Sequence, residues 1–292
     1  MFNIKTILLS IAGATMMGAL TGCSFGWTTS YIYENGDKYT AGDREIFEKI
    51  ENIDLDYLSG DVIISETNSD KFIITENSKK ELSDLQRVHT WVDGRTLYVK
   101  CAASAKKLDM NMLGKQLTIG IPKETNLKGL NLHISSGDVD ATCIADNIKI
   151  RTSSGNIRLT QTKNSSMIDV HASSGNVELN LEAADNVNTS VSSGNIVINA
   201  GSIKELTSKT SSGTSSYTLQ NVPAISSLRA SSGDITINLP KDADLNAEFD
   251  VSSGKVSYDL AFAKDGDNYV SGSGANQMKV HTSSGNINVK SN

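Results

Sequence analysis

From about residue 126 onward the chain repeats one short pattern of alternating apolar and polar positions. Leu130, Leu132 and Ile134 stand two apart, as do Ile148 and Ile150, then Ile168, Val170 and Ala172, then Val187, Thr189 and Val191. Each series runs into Ser-Ser-Gly. Four and six residues after the first serine the alternation resumes with Ile157 and Leu159, Val177 and Leu179, Ile196 and Ile198, Ile235 and Ile237, Val256 and Tyr258, and Ile287 and Val289. Period two on both sides of a break predicts two strands per unit, each with one buried face, joined at a sharp corner. Glycine supplies the positive φ that such a corner needs, and the Asn or Asp that usually follows tolerates the same region.

The corner glycines are Gly137, Gly155, Gly175, Gly194, Gly213, Gly233, Gly254 and Gly285, and the serines that open them are spaced by 18, 20, 19, 19, 20, 21 and 31 residues. A period near twenty is the signature of a repeat architecture. One unit cannot bury its apolar face alone, whereas stacking units at a strand spacing of roughly 4.8 Å merges the faces into one core. The predicted fold is an all-β parallel β-solenoid (β-helix) of about 19–20 residues per rung. The 31-residue interval before Ser283 reads as a rung carrying an inserted surface loop.

Upstream the pattern is less regular. Residues 45–120 read as irregular N-terminal rungs and a cap, with Leu58-Ser59-Gly60-Asp61-Val62 as a degenerate corner. Ser78-Lys79-Lys80-Glu81 has the capping-box pattern and predicts a short helix before Val88. Residues 121–292 form the regular repeat, and 23–44 a polar tether with Trp27, Tyr31, Tyr33 and Tyr39. Those aromatics are placed either at a membrane interface or on the first rung.

Composition narrows the function classes. Aromatics make up 5% of the 292 residues and prolines number three, which suits thin rungs and long ladders and not a wide enzyme interior. A net charge of −6 argues against a general nucleic-acid binder, which needs a basic footprint. Cys101 and Cys143 read as buried single thiols, although they could pair in an oxidising compartment. The spacing of the cysteines and histidines fits no metal site, and no cofactor is expected.

Residues 1–22 have the form of an export signal, with Lys5 ahead of an apolar stretch too short for a stable span. Leu20-Thr21-Gly22-Cys23 resembles the bacterial lipobox, which implies acylation of Cys23 and attachment to the outer face of a bacterial membrane. The repeated Ser-Ser-Gly-Asn/Asp-Ile/Val also resembles the bacterial putative-adhesin family of β-strand-repeat domains, a domain of unknown function. So do the phrases Ile121-Pro122-Lys123 ahead of Leu132-His133-Ile134 and Leu239-Pro240 ahead of Ser252-Ser253-Gly254. This resemblance covers roughly residues 45–292 and implies a surface protein without catalytic residues.

The candidate chemistry follows from aligned columns. Eight equivalent serines without a Gly-x-Ser-x-Gly elbow do not make a nucleophile, and the mixed residues after the corner glycines do not make a calcium ladder. An Asn stack with amide-to-amide hydrogen bonds is the simpler account of that column. Two residues before each corner stand, in sequence order, His133, Arg151, His171, Ser190, Lys209, Arg229, Asp250 and His281. This outward column predicts a basic stripe for an anionic envelope polymer or headgroup, set against the plainer reading of a solvated face. Glycans and a membrane protein are the other partners considered, the last for a regulatory envelope-stress lipoprotein. A polysaccharide-active β-helix enzyme is disfavoured, because no paired carboxylates fall on neighbouring rungs.

Overall fold

The computed structural model describes residues 28–109 and 114–292, so Cys23 and the export signal lie outside the described residues. The fold is nearly all-β, with no α-helix among the described residues. Successive repeats pair in parallel and in register. Asn126–Ser136 lies beside Val139–Ser154 with Leu130 opposite Ile148 and Leu132 opposite Ile150. The same register carries on through Ile157–Ser174, Val177–Ser193 and Ile196–Ser212. The alternating Ile, Val and Leu are buried as one continuous cluster. Each such side chain taken from water contributes on the order of 1.5–3 kcal/mol.

The corners set how closely the laps approach. Their glycines, Gly60 included, have φ between +122° and +148°. From Gly137 onward, a Cβ on any of them would lie 1.9–2.2 Å from the carbonyl oxygen of the neighbouring corner glycine. Every corner N–H but that of the terminal Gly254 donates across the gap, for example Gly155 to the Ser174 carbonyl at 3.1 Å and Gly194 to the Ser212 carbonyl at 2.9 Å. Only a residue without a side chain leaves room for that approach.

At its far end the stack departs from sequence order. Ile225–Ser232 pairs with Asn276–Ser284, which in turn pairs with Leu245–Ser253. The Gly285 corner therefore sits between those of Gly233 and Gly254: Gly233 donates to Ser284, and Gly285 donates to Ser253. The 31-residue interval is more than a loop on one rung. It contains Asn268–Ser271, which runs antiparallel along the outer edge of Leu245–Ser253, before the chain turns back to fill the vacant place. Burial reports the same order. Met278, Val280, Thr282, Ile287 and Val289 are fully buried, while Phe249, Val251 and Val256 are half-buried and Tyr258 is 44% exposed.

Two features explain why the Gly254 corner takes the last place. Phe249 is bulkier than Leu228 and Val280 in the same inward column, and it packs against Phe262 and Tyr269 of the terminal hairpin instead. Lys255 follows its corner glycine where the interior rungs carry Asn, Asp or Thr, and as the last member it needs no oxygen to offer onward.

The near end closes in a similar way. Asn52–Ser59, with its Gly60 corner, pairs in parallel with Asn126–Ser136 on one side and Thr96–Lys100 on the other. Beyond these the pairing turns antiparallel, His89–Asp93 against Thr96–Lys100 and Phe72–Asn77 against Gln116–Pro122. A fully buried Lys115 lies under this end, 2.8 Å from Glu76 and 2.6 Å from the carbonyls of Gln86 and Cys101. Thr28–Tyr31 pairs with Ala105–Asp109, and Tyr31, Tyr33, Tyr39, Trp91 and Tyr98 form a chain of ring contacts 5.0–5.7 Å apart. Antiparallel strands at both ends blunt the edges against further stacking.

Residues 78–87 are not a helix. The Ser78 hydroxyl accepts the Lys80 N–H, and both the N–H and the hydroxyl of Ser83 donate to the Gln86 side chain, so the capping residues close tight turns. Leu85 is 52% exposed, so the stretch has no buried stripe to hold a helix. Cys101 and Cys143 are both free and buried, and burial pushes their thiols up, that of Cys143 to about 12.

Gly194 and Gly94 separate close approach from conformational strain. Gly94, at φ +57°, has nothing within 4 Å of an added Cβ, so Gly94→Ala should cost only the left-handed conformation, about 1 kcal/mol. Gly194→Ala meets the Gly175 carbonyl at 2.0 Å and should cost about 3 kcal/mol or more, read by urea denaturation of both variants.

Candidate functional site

The outward column two residues before each corner is continuous, and its order is that of the stack. It runs Lys100, Asp56, His133, Arg151, His171, Ser190, Lys209, Arg229, His281, Asp250. The sequence alone placed Asp250 between Arg229 and His281. The inserted rung brings His281 beside Arg229 and moves Asp250 to the end.

Much of this column is neutralised by its own neighbours. Asp56 binds His133 Nδ1 at 3.2 Å and Lys100 at 3.3 Å, and Tyr31 donates to the same carboxylate at 3.3 Å. Asp169, in the adjacent outward column, accepts from Arg151 at 3.2 Å and contacts His171 Nε2 at 2.8 Å. Asp250 contacts His281 Nδ1 at 2.8 Å. Lys209 and Arg229, both exposed and on adjacent rungs, have no ion-pair partner among the described residues. The unneutralised positive charge is thus concentrated at the Lys209–Arg229 step.

The hydrogen bond to Asp56 raises the His133 pKa above its usual value. Burial pushes Asp56 up, but the hydrogen bond from His133 and the Lys100 charge outweigh it and hold the carboxyl below its ordinary value. Asp56 and Asp169 were missed in the sequence reading. The signal for Asp169 was its place two residues before His171, and for Asp56 its place ahead of the degenerate Gly60 corner.

One array near the far end resembles a hydrolase relay. His281 Nε2 is 3.3 Å from the Ser283 hydroxyl while its Nδ1 faces Asp250. The sequence reading set the serines aside for lack of an elbow, and here one of them has an imidazole within reach. Acyl transfer also needs donors aimed at a developing oxyanion. The nearest corner amides are committed elsewhere, Gly285 N–H to the Ser253 carbonyl at 2.9 Å and Asn286 N–H to Asp234 at 2.7 Å. A solvent-exposed serine with the neighbouring amides spent has no oxyanion hole to work with.

The residues after the corner glycines form a ladder of their own. Asp61 Oδ1 accepts the Asp138 N–H, Asp138 the Asn156 N–H, Asn156 the Asn176 N–H, Asn176 the Asn195 N–H and Asn195 the Thr214 N–H, all at 2.7–3.0 Å. It resumes from Asp234 to Asn286 to Lys255. Asn156, Asn176 and Asn286 add amide donors to the same oxygens. These oxygens, which a calcium ladder would have used, instead cap the backbone of the next rung. On the second outward face, Arg158 pairs with Glu178 at 3.2 Å and Asn199 donates to Asn180 at 2.9 Å, so that face is also cross-linked rung to rung.

A stack of short strands with glycine corners, closed at both ends and faced by self-paired polar ladders, defines a repeat scaffold. The chain belongs to the Toastrack DUF4097 family, whose pattern matches residues 50–290. Among curated proteins none matches. Solved structures to which the chain shows similarity include a putative adhesin from Parabacteroides merdae, 14% identical, with 87% of this chain and 96% of that one covered at a TM-score of 0.42. Others are a putative adhesin from Parabacteroides distasonis, 12% identical over 87% and 97% at 0.42, and one from Bacteroides fragilis, 14% identical over 87% and 97% at 0.40.

The His133–Asp56 contact makes stability depend on pH with a defined sign. Because the folded pKa of His133 is raised, its contribution is complete below the unfolded value near 6.5 and fades as pH climbs through the folded value. His133→Gln should therefore lose about 0.5 kcal/mol at pH 5.5, a small effect because the imidazole is largely exposed, and nothing at pH 8.5. Thermal melts of both proteins at the two pH values measure the difference.

Proposed function

We propose that this protein is an exported, lipid-anchored parallel β-solenoid that acts without catalysis as an adhesin-type or envelope-binding surface protein, holding an anionic polymer or headgroup on its basic column. The observation that carries the reading is the Lys209–Arg229 step, two exposed cations on adjacent rungs with no carboxylate partner among the described residues, in an acidic protein. Adjacent like charges roughly 4.8 Å apart repel each other. An anionic ligand lying across both relieves that repulsion, while His281 on the next rung faces Asp250. Arg151, His133 and His171 extend the column with charge already shared with Asp169 and Asp56, and contribute less.

Anchoring rests on the lipobox-like Leu20-Thr21-Gly22-Cys23. The Thr28–Tyr31 strand starts five residues beyond Cys23, so a lipid there would hold the near end of the stack within about 17 Å of the membrane. Residues 1–22 are then the removed signal. Of the stretch 23–44 read as a tether, the part from Thr28 to Tyr31 is bonded to the Ala105–Asp109 strand.

Binding to poly(glycerol phosphate) and to liposomes containing anionic lipid tests this reading. Lys209→Ser with Arg229→Ser should abolish most binding at low salt and leave the unfolding transition unchanged, while Arg151→Ser should weaken binding only slightly. Equal binding by the double variant and the parent protein would dismiss the column as a ligand site.

A further inference from the structure

The place filled by the Gly285 rung is one strand wide and has two walls. Ile225–Ser232 and Ile235–Leu239 form one, and Leu245–Ser253 and Val256–Tyr258 form the other. The segment between them, residues 276–291, comes after both walls in the chain and is directly continuous with neither. It supplies Met278, Val280, Thr282, Ile287 and Val289 to the core and hydrogen-bonds on both edges. It joins the rest of the chain through an arch, residues 272–275, that passes over Asp244. The Asp244 carboxylate accepts from Gly274 N–H at 2.6 Å, Ala275 N–H at 3.1 Å and the Ser273 hydroxyl at 2.7 Å. Gly272 and Gly274 take φ of +65° and +75° within the arch. One carboxylate thus clasps the hinge of an otherwise separable strand pair.

We propose that this slot is a strand-acceptor site which also takes residues 276–291 of a second copy, giving a reciprocally exchanged dimer. Both walls precede the inserted rung in the chain, so in a growing polypeptide they are available before their own filling strand. A second copy is the occupant that fits, because exchange reproduces every contact of the rung. These include the Asp234–Asn286–Lys255 hydrogen bonds and the Arg229–His281–Asp250 neighbours. A strand lacking Asn at the position of Asn286 would lose the first set, and one with a large side chain in place of Val280 would not fit between Leu228 and Phe249. Only the contacts of the arch are given up, and four extended residues span about 14 Å, enough to leave one stack and enter another at the same edge.

Ser227 and Lys279 are opposed across one wall in register, on the outward face, and adjacent strands fall within the Cα separation a disulfide requires. The full-length protein is made with Ser227→Cys, with Lys279→Cys, and with both. The doubly substituted chain should close an internal disulfide, which reports that the rung occupies its slot. Cells producing the two singly substituted chains together should yield a covalent dimer, absent when either is made alone. Asp244→Ala should increase its share by releasing the clasp. An internal bond in the double variant, with no mixed dimer even after Asp244→Ala, would overturn the exchange. Failure of the internal bond would overturn the slot itself.

Discussion

Backbone meets backbone at the corners, and the rest of the molecule depends on that contact. The φ of each corner glycine and the 2 Å between its missing Cβ and the next carbonyl leave one residue type for the position. With the corners in one file, strands on both sides fall into parallel register, the alternating Ile, Val and Leu become columns, and those columns join into a core. The hydroxyl network of Thr189, Ser208 and Tyr217 shows how tightly the columns couple. Ser208 is small beside Leu228 in the same column, and the buried Tyr217 hydroxyl lies 2.8 Å from it.

The Asn and Asp ladder adds a second, polar constraint beside the corners. Each side-chain oxygen pins the amide of the next rung, so a corner is held both through its own N–H and through that of the residue after it. The same economy governs the outward columns. Carboxylates on the same or the adjacent rung pair with His133, Arg151, His171 and His281, so the column carries little net charge except where Lys209 and Arg229 stand together. An exposed pair is worth little to stability, which leaves such positions free to vary toward binding.

Strand positions, corner residues and the core columns were legible in the sequence because period two and Ser-Ser-Gly are local signals. The order of the last two rungs was not, because a stack records only adjacency in space and the sequence records adjacency along the chain. The departures that betray it are particular residues: Lys255 where Asn or Asp usually stands, Phe249 in a column of smaller residues, and a 31-residue interval where twenty suffices. Read together they mark the Gly254 rung as terminal. The candidate site suffered accordingly, since the outward column read from the sequence lacked Lys100 and Asp56 and had Asp250 and His281 in the wrong order. Its neutralising partner Asp56 became visible only when rungs 77 residues apart in the chain, those of His133 and Asp56, were laid side by side, whereas Asp169 stood two residues from His171 all along.

The claim that most needs testing is that each corner glycine bonds to the rung beside it in space, including the inserted one. Scalar coupling across the hydrogen bond, read in a long-range carbonyl-to-amide NMR experiment on deuterated protein, identifies donor and acceptor directly. The Gly233 amide should correlate with the Ser284 carbonyl and the Gly285 amide with that of Ser253. A correlation from Gly233 to Ser253 would mean that the rungs stack in chain order, contradicting the inserted strand and the column built on it.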